Sequence, residues 1–133
     1  MNKIKVSFDF DGTLSRADVQ DYARKLISDG VEVWICTSRL SDDDAPSQRW
    51  NDDLLDVSDS IGIHRNHIKF CSMSDKYLFL ENEDFAFHLD DDMTEIEMIN
   101  KFTETHGINL FGNKQWMHDC DKILTRALYR IKP

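Results

Sequence analysis

Four short clusters in this 133-residue sequence combine side chains suited to binding a hard cation and an anion side by side. Asp9 and Asp11 flank Phe10 and run into Gly12 and Thr13, and Asp90, Asp91 and Asp92 are consecutive. Thr37, Ser38 and Arg39 join two hydroxyls to a guanidinium, and Lys76 follows Ser72 and Ser74. Acidic groups from separate parts of a chain can hold one divalent cation such as Mg²⁺, which takes oxygen ligands and keeps some of its waters. Hydroxyls and an amine suit the oxygens of a phosphate. The acidic residues are 19 Asp against 6 Glu. Aspartate is a poor helix former, so the excess points to loops, caps and short carboxylates that hold a cation.

The elements that must position these groups follow from apolar periodicity. Ile4 to Phe8 alternates as a strand and ends in the turn-forming run from Asp9 to Thr13. Ser15 is the expected cap of a helix whose stripe is Val19, Tyr22, Ala23, Leu26 and Ile27, stopped by Gly30. Val31 to Cys36 is a second strand. Trp50, Leu54, Val57 and Ile61 predict a second helix, Ile68 to Ser72 a third strand, and Ser74-Asp75 the start of a short helix carrying Lys76, Tyr77 and Leu80. Phe85 to Leu89 reads as a fourth, buried strand. Ile96, Ile99 and Phe102 predict a helix ending at Gly107, with Ile108 to Phe111 as a fifth strand and Cys120 to Ile131 as the last helix. This alternation predicts a doubly wound, Rossmann-like α/β/α sandwich with a mainly parallel sheet of about five strands, one domain over residues 1–133. Ligands in such sheets bind beyond the carboxyl ends of the strands. All four clusters fall there.

The run Asp9-Phe10-Asp11-Gly12-Thr13-Leu14 after a strand resembles the DxDGT signature of the haloacid dehalogenase-like hydrolases. Thr37, Lys76 and Asp90-Asp91 fall in the order and places of that family's other three motifs. The resemblance implies a phosphatase that works through an aspartyl-phosphate, with Asp9 as nucleophile and Asp11 as general acid and base. Asp11 sets the reaction class, since family ATPases carry Thr there and haloacid dehalogenases lack the acid. Gly12 would permit a sharp turn, and Thr37 and Lys76 would bind phosphoryl oxygens. Mg²⁺ would be held by the Asp9 carboxylate, the Asp11 backbone carbonyl and an acidic residue after the fourth strand. Asp91 is the first choice there and Asp90 the second, while Asp92 and Glu95 suit caps of the next helix. Residues 15–30 and 40–67 leave no room for a cap domain, so the likeness is to minimal, capless members. Their open sites accept large substrates or borrow a lid from a second subunit. The expected substrate is a small phosphomonoester, such as a nucleotide or sugar phosphate, or an exposed phosphate on a macromolecule. A binding or regulatory module that keeps the pocket without turnover is the alternative.

Arg39 reads equally as a substrate contact and as a loop arginine, and Ser38 is the weaker candidate. His64 and His67 lack a third ligand and read as surface residues. His88, on the Asp90 side of its strand, reads as a structural histidine ahead of one that tunes the site, and Trp34, Trp50 and Trp116 read as packing residues, with a substrate or subunit edge the alternative for one of them. Asp42 to Asp44, Asp52 and Asp53 read as a solvated loop and helix face. Cys36, Cys71 and Cys120 form no metal or disulfide pattern and read as reduced and buried. No apolar run approaches a membrane span and the N-terminus does not read as a signal peptide, which points to a cytoplasmic protein with no membrane partner. A net charge of −9 opposes long nucleic acids as partners.

Overall fold

A computed structural model describes residues 3–47 and 49–131. Strands β1 (Lys5–Phe8), β2 (Glu32–Thr37), β3 (Ile68–Phe70), β4 (Phe85–Asp90) and β5 (His106–Asn109) alternate with α1 (Ala17–Ser28), α2 (Asp52–Ile61), α3 (Tyr77–Leu80) and α4 (Met93–Phe102), and α5 (Trp116–Ile131) follows β5. The sheet is parallel throughout, in the order β3-β2-β1-β4-β5. The chain winds outward from β1 to β3, then returns to the other side of β1 for β4. The crevice of a doubly wound sheet therefore opens between β1 and β4.

Register fixes what stands at that crevice. Phe8 pairs with Leu89, and the Asp9 amide donates to the Leu89 carbonyl at 2.9 Å. Asp9 and Asp90 are thus neighbours across the central pair. The β1–β4 register shifts by one residue between Lys5 and Ser7, which places Ser7 beside His88.

Two unequal apolar layers cover the sheet. Val6, Phe8, Val33, Ile35, Phe87 and Leu89 face α1, α2 and α5 through Val19, Leu26, Leu54, Ile61, Trp116 and Leu124. Leu80, Phe85 and Ile99 make a smaller cluster under α3 and α4. Ser7, His88 and Asp90 are fully buried in addition. The expected α/β/α sandwich is the observed fold. No helix among the described residues is long and apolar enough to cross a membrane.

Three local expectations are corrected. Ser15 does not cap α1: the N-cap is Arg16, and Ser15 Oγ instead accepts from the Gly12 amide at 3.1 Å. Trp50 precedes α2 and is 50% exposed, so only Leu54 and Ile61 of the predicted stripe are fully packed. The fourth helix ends at Phe102, where the Thr103 hydroxyl donates to the Ile99 carbonyl at 2.8 Å. Gly107 belongs to β5, where a Cβ would lie 3.1 Å from the Ile96 carbonyl. A close approach of helix to strand, rather than a helix stop, calls for that glycine.

Candidate active site

Asp9 leaves β1 in an extended conformation, and the chain then turns through Asp11 (φ −66°, ψ 121°) and Gly12 (φ 75°, ψ 1°). These are the central dihedrals of a type II turn, whose third residue needs positive φ and hence glycine. The turn is closed by Leu14 N donating to Asp9 O and Ser15 N to Phe10 O, both at 3.0 Å. Gly12 has a second reason: a Cβ there would overlap the Asp91 carboxylate. The turn after β1 and the loop after β4 therefore touch over the crevice.

Asp9 is buried, its side chain 7% exposed, and both of its oxygens are held. Lys76 Nζ donates to Oδ1 at 2.8 Å and the Thr13 hydroxyl to Oδ2 at 3.1 Å. Lys76 Nζ also reaches Asp90 Oδ2 at 2.6 Å, and His88 Nε2 meets the same oxygen at 2.8 Å. A carboxylate only accepts, so His88 carries its proton on Nε2, and Nδ1 accepts from the Ser7 hydroxyl. Ser7, His88, Asp90, Lys76 and Asp9 form one buried chain of hydrogen bonds, in which no buried side-chain polar atom among the described residues lacks a partner.

Carboxylate oxygens of Asp9, Asp90 and Asp91 lie within 4.8 Å of one another. One ammonium serves this group. Burial and then the charge of Asp90 push the Asp9 carboxyl up to about 8, against the pull of Lys76. Burial also opposes ionisation of Asp90, but the hydrogen bonds and charges of His88 and Lys76 outweigh it and hold Asp90 well below the carboxylate range. Burial lowers Lys76, and the two carboxylates reverse this and leave it raised. Burial keeps His88 below the usual imidazole value despite Asp90, so it is neutral at pH 7. Negative charge is in excess, and the surplus falls on Asp9. Three carboxylates with that imbalance are a donor set that fits a small hard divalent cation.

Asp11 points elsewhere. Its side chain is 58% exposed and both oxygens accept from Arg39, at 2.9 and 2.7 Å. The same guanidinium grips Asp53 at 2.7 and 2.9 Å, approaches Asn51 Oδ1 at 3.5 Å, and lies over the Phe10 ring at 5.0 Å. Arg39 is therefore a clamp between the turn after β1 and the start of α2, not a solvent-facing loop residue.

Thr37 is buried at the end of β2, and its hydroxyl accepts from the Arg39 amide at 3.2 Å. The Ser38 carbonyl accepts from Met73 N at 2.8 Å, and the Arg39 carbonyl from Ser72 N at 3.2 Å. These bonds hold Ser72 (φ 50°) and Met73 (φ 67°) in the left-handed region, which non-glycine residues enter at a cost. The zipped loops carry Lys76 inward. Glu95 accepts from the Lys76 backbone amide at 3.1 Å, whereas Asp92 caps α4 by accepting from Thr94 N at 2.9 Å.

The structure thus brings Asp9, Lys76, Asp90 and Asp91 into one cluster, sets Gly12 and Thr37 at its edge, and leaves Asp11, Ser38 and Arg39 on the rim. No family model and no curated protein matches the chain. Residues that sequence reasoning passed over are Thr13, which orients Asp9, and Asn51 and Asp53, which seat Arg39. Asp53, and Asp52 with Arg49 at 2.7 Å, are ion-paired rather than a plain solvated face. Thr13 stands inside the DxDGT run, so its place was visible. Nothing local marks Asn51 or Asp53, because their partner lies twelve and fourteen residues away.

Proposed function

We propose that the protein is a Mg²⁺-dependent phosphomonoesterase of the haloacid dehalogenase-like type. One observation carries this reading: a buried carboxylate, Asp9, is aimed by Lys76 and Thr13 at the switch point of a parallel sheet, beside two further carboxylates. Asp9, Asp91 and the Asp11 carbonyl would hold Mg²⁺, with Asp90 fixing Lys76. When bound, Mg²⁺ neutralises charge on the phosphoryl oxygens and aligns them for in-line attack.

Once its proton has passed to solvent, Asp9 attacks phosphorus through Oδ, forming the aspartyl-phosphate bond as the ester P–O bond breaks. Asp11 first takes up a proton from solvent, gives it to the leaving oxygen, then takes one from the water that attacks the aspartyl-phosphate and releases inorganic phosphate. Lys76 offsets negative charge on the phosphoryl group throughout. Because Arg39 holds both Asp11 oxygens, one of them must leave this fork for the leaving group. The freed edge of Arg39, with the hydroxyls of Thr37 and Ser38, would then bind the entering phosphate. Three buried free thiols suit a reducing compartment such as the cytoplasm.

The Arg39 fork also favours a second reading, a phosphate- and Mg²⁺-binding module without turnover. Phosphate release from a panel of phosphorylated metabolites, with Mg²⁺ or with chelator, separates the two. The enzyme reading expects Mg²⁺-dependent release that falls at least ~10³-fold in Asp9→Asn. Release that survives the substitution overturns the mechanism, and inactivity across the panel favours the binding module.

A further inference from the structure

A groove of about 660 Å³ adjoins the Asp11 side of the crevice and is lined by Asp11, Arg39, Arg49, Trp50, Asp52 and Asp53. Its size is within the range of small-molecule sites. In the proposed reaction Asp11 protonates the leaving oxygen, so the organic part of the substrate must sit against Asp11. Asp9 and Lys76 occupy the phosphoryl side. The groove is the only lined space that Asp11 adjoins among the described cavities.

Its wall has a definite chemistry. Trp50 is half exposed although its neighbour Asn51 is fully buried. Asn51 donates to the Leu40 carbonyl and to Asp42 Oδ1, both at 2.9 Å, which pins the backbone beneath the indole. Trp50 makes none of the aromatic pairs found among the described residues, whereas Trp34 and Trp116 are each stacked or edge-packed. Core packing therefore accounts for Trp34 and Trp116 but leaves half of Trp50 to solvent. Around it, Asp52 is paired with Arg49 and Asp53 with Arg39, and each carboxylate has lone pairs beyond those given to the guanidinium. A half-exposed indole ringed by acceptors and donors matches a planar heteroaromatic ring that bears hydroxyl and amino groups. A bare ribose could set only a few C–H groups against the indole, whereas a base covers it with a whole ring face.

We propose that this groove is the leaving-group subsite and takes a nucleoside, with Trp50 as the stacking platform, so that nucleoside monophosphates are the substrate class. The proposal rests on the phosphomonoesterase reading for the reaction but on the groove alone for the ligand.

Adenosine 5′-monophosphate and ribose 5-phosphate test it, because both release the same kind of primary ribosyl alcohol and differ only in the base. With Mg²⁺ present, kcat/KM for the nucleotide should exceed that for the sugar phosphate by roughly 10-fold or more. Trp50→Ala should reduce that ratio to within about 3-fold, and Trp50→Phe should retain most of it. In parallel, the Trp50 indole N–H resonance, assigned by its loss in Trp50→Phe, should shift with the nucleotide and not with ribose 5-phosphate. Equal kcat/KM values, a ratio that survives Trp50→Ala, or an unmoved Trp50 resonance overturns the subsite even where phosphate is released. If neither ester is hydrolysed, a nucleotide-specific shift of Trp50 upholds the subsite while the phosphomonoesterase reading falls.

Discussion

Asp9 carries the surplus charge of the site, and this has a thermodynamic consequence. Its carboxyl is raised to about 8 in the fold, from a reference value of 3.8. Between these values the unfolded chain has released a proton that the folded chain keeps. The folded state binds more protons, so the contribution of Asp9 to stability falls as pH rises through that window. Asp90 is ionised in both states there and adds no slope. His88, lowered by burial, gives the opposite slope near its ordinary titration range, so Asp9 must be isolated by difference. In chelator, Asp9→Asn is expected to be more stable than wild type by about 1–3 kcal/mol at pH 8, with the gap shrinking toward pH 5. Thermal unfolding of both proteins across this range checks it. A gap independent of pH would show that Asp9 does not carry the excess charge. Such a gain on removing a site residue is the usual signature of a centre arranged for function rather than for stability.

At the scale of elements, Arg39 ties the loop after β2 to the turn after β1 and to the start of α2, its planar fork meeting two carboxylates in bidentate fashion. A lysine keeps the charge but cannot reproduce that geometry. Arg39→Lys is expected to speed amide exchange about 10-fold in residues 40–53 while β1 and β4 keep their protection. Arg65→Lys, which weakens an exposed pair with Asp59, serves as the control. Equal exchange in wild type and Arg39→Lys would mean that the backbone bonds to Ser72 and Met73, together with Asn51, hold the loop without the fork. The same elements show what a sequence reveals. Stripes such as Val19, Tyr22, Ala23 and Leu26 were legible because periodicity is a local property, and so was the glycine of the turn, whose positive φ follows from Asp-Gly chemistry. Ser15 was misread because a hydroxyl beside a helix can bond to either side, and here the turn amide of Gly12 wins. Gly107 was misread because helix stop and close packing both favour glycine. The Arg39–Asp53 clamp and the approach of Cys36 to Cys71, 3.6 Å between sulfurs, depend on long-range geometry that no local pattern encodes.

For the whole molecule, the cluster joins the two halves of the sheet. Asp9 ends β1, which belongs with β2 and β3, whereas Asp90 and Asp91 follow the course of β4, which belongs with β5. The net charge of −9 therefore includes carboxylates that oppose closure of the fold along its central seam, and Lys76 compensates only part of them. A cation that bridges the seam should stabilise the entire molecule. The ligands lie about eighty residues apart in sequence, so the unfolded chain has no comparable site and the binding energy appears in full as folding energy. Each tenfold rise in Mg²⁺ beyond its dissociation constant should then add about 1.4 kcal/mol, or roughly 3–6 °C in Tm for a chain of this size. NaCl at matched ionic strength screens surface pairs but cannot bridge carboxylates, and it should give a much smaller change. Asp91→Asn should abolish the Mg²⁺ response and leave the salt response intact. Amide exchange should locate the gain at the carboxyl ends of both β1 and β4. Protection confined to one of these strands, or a Tm rise that persists in Asp91→Asn, would place the cation away from the seam.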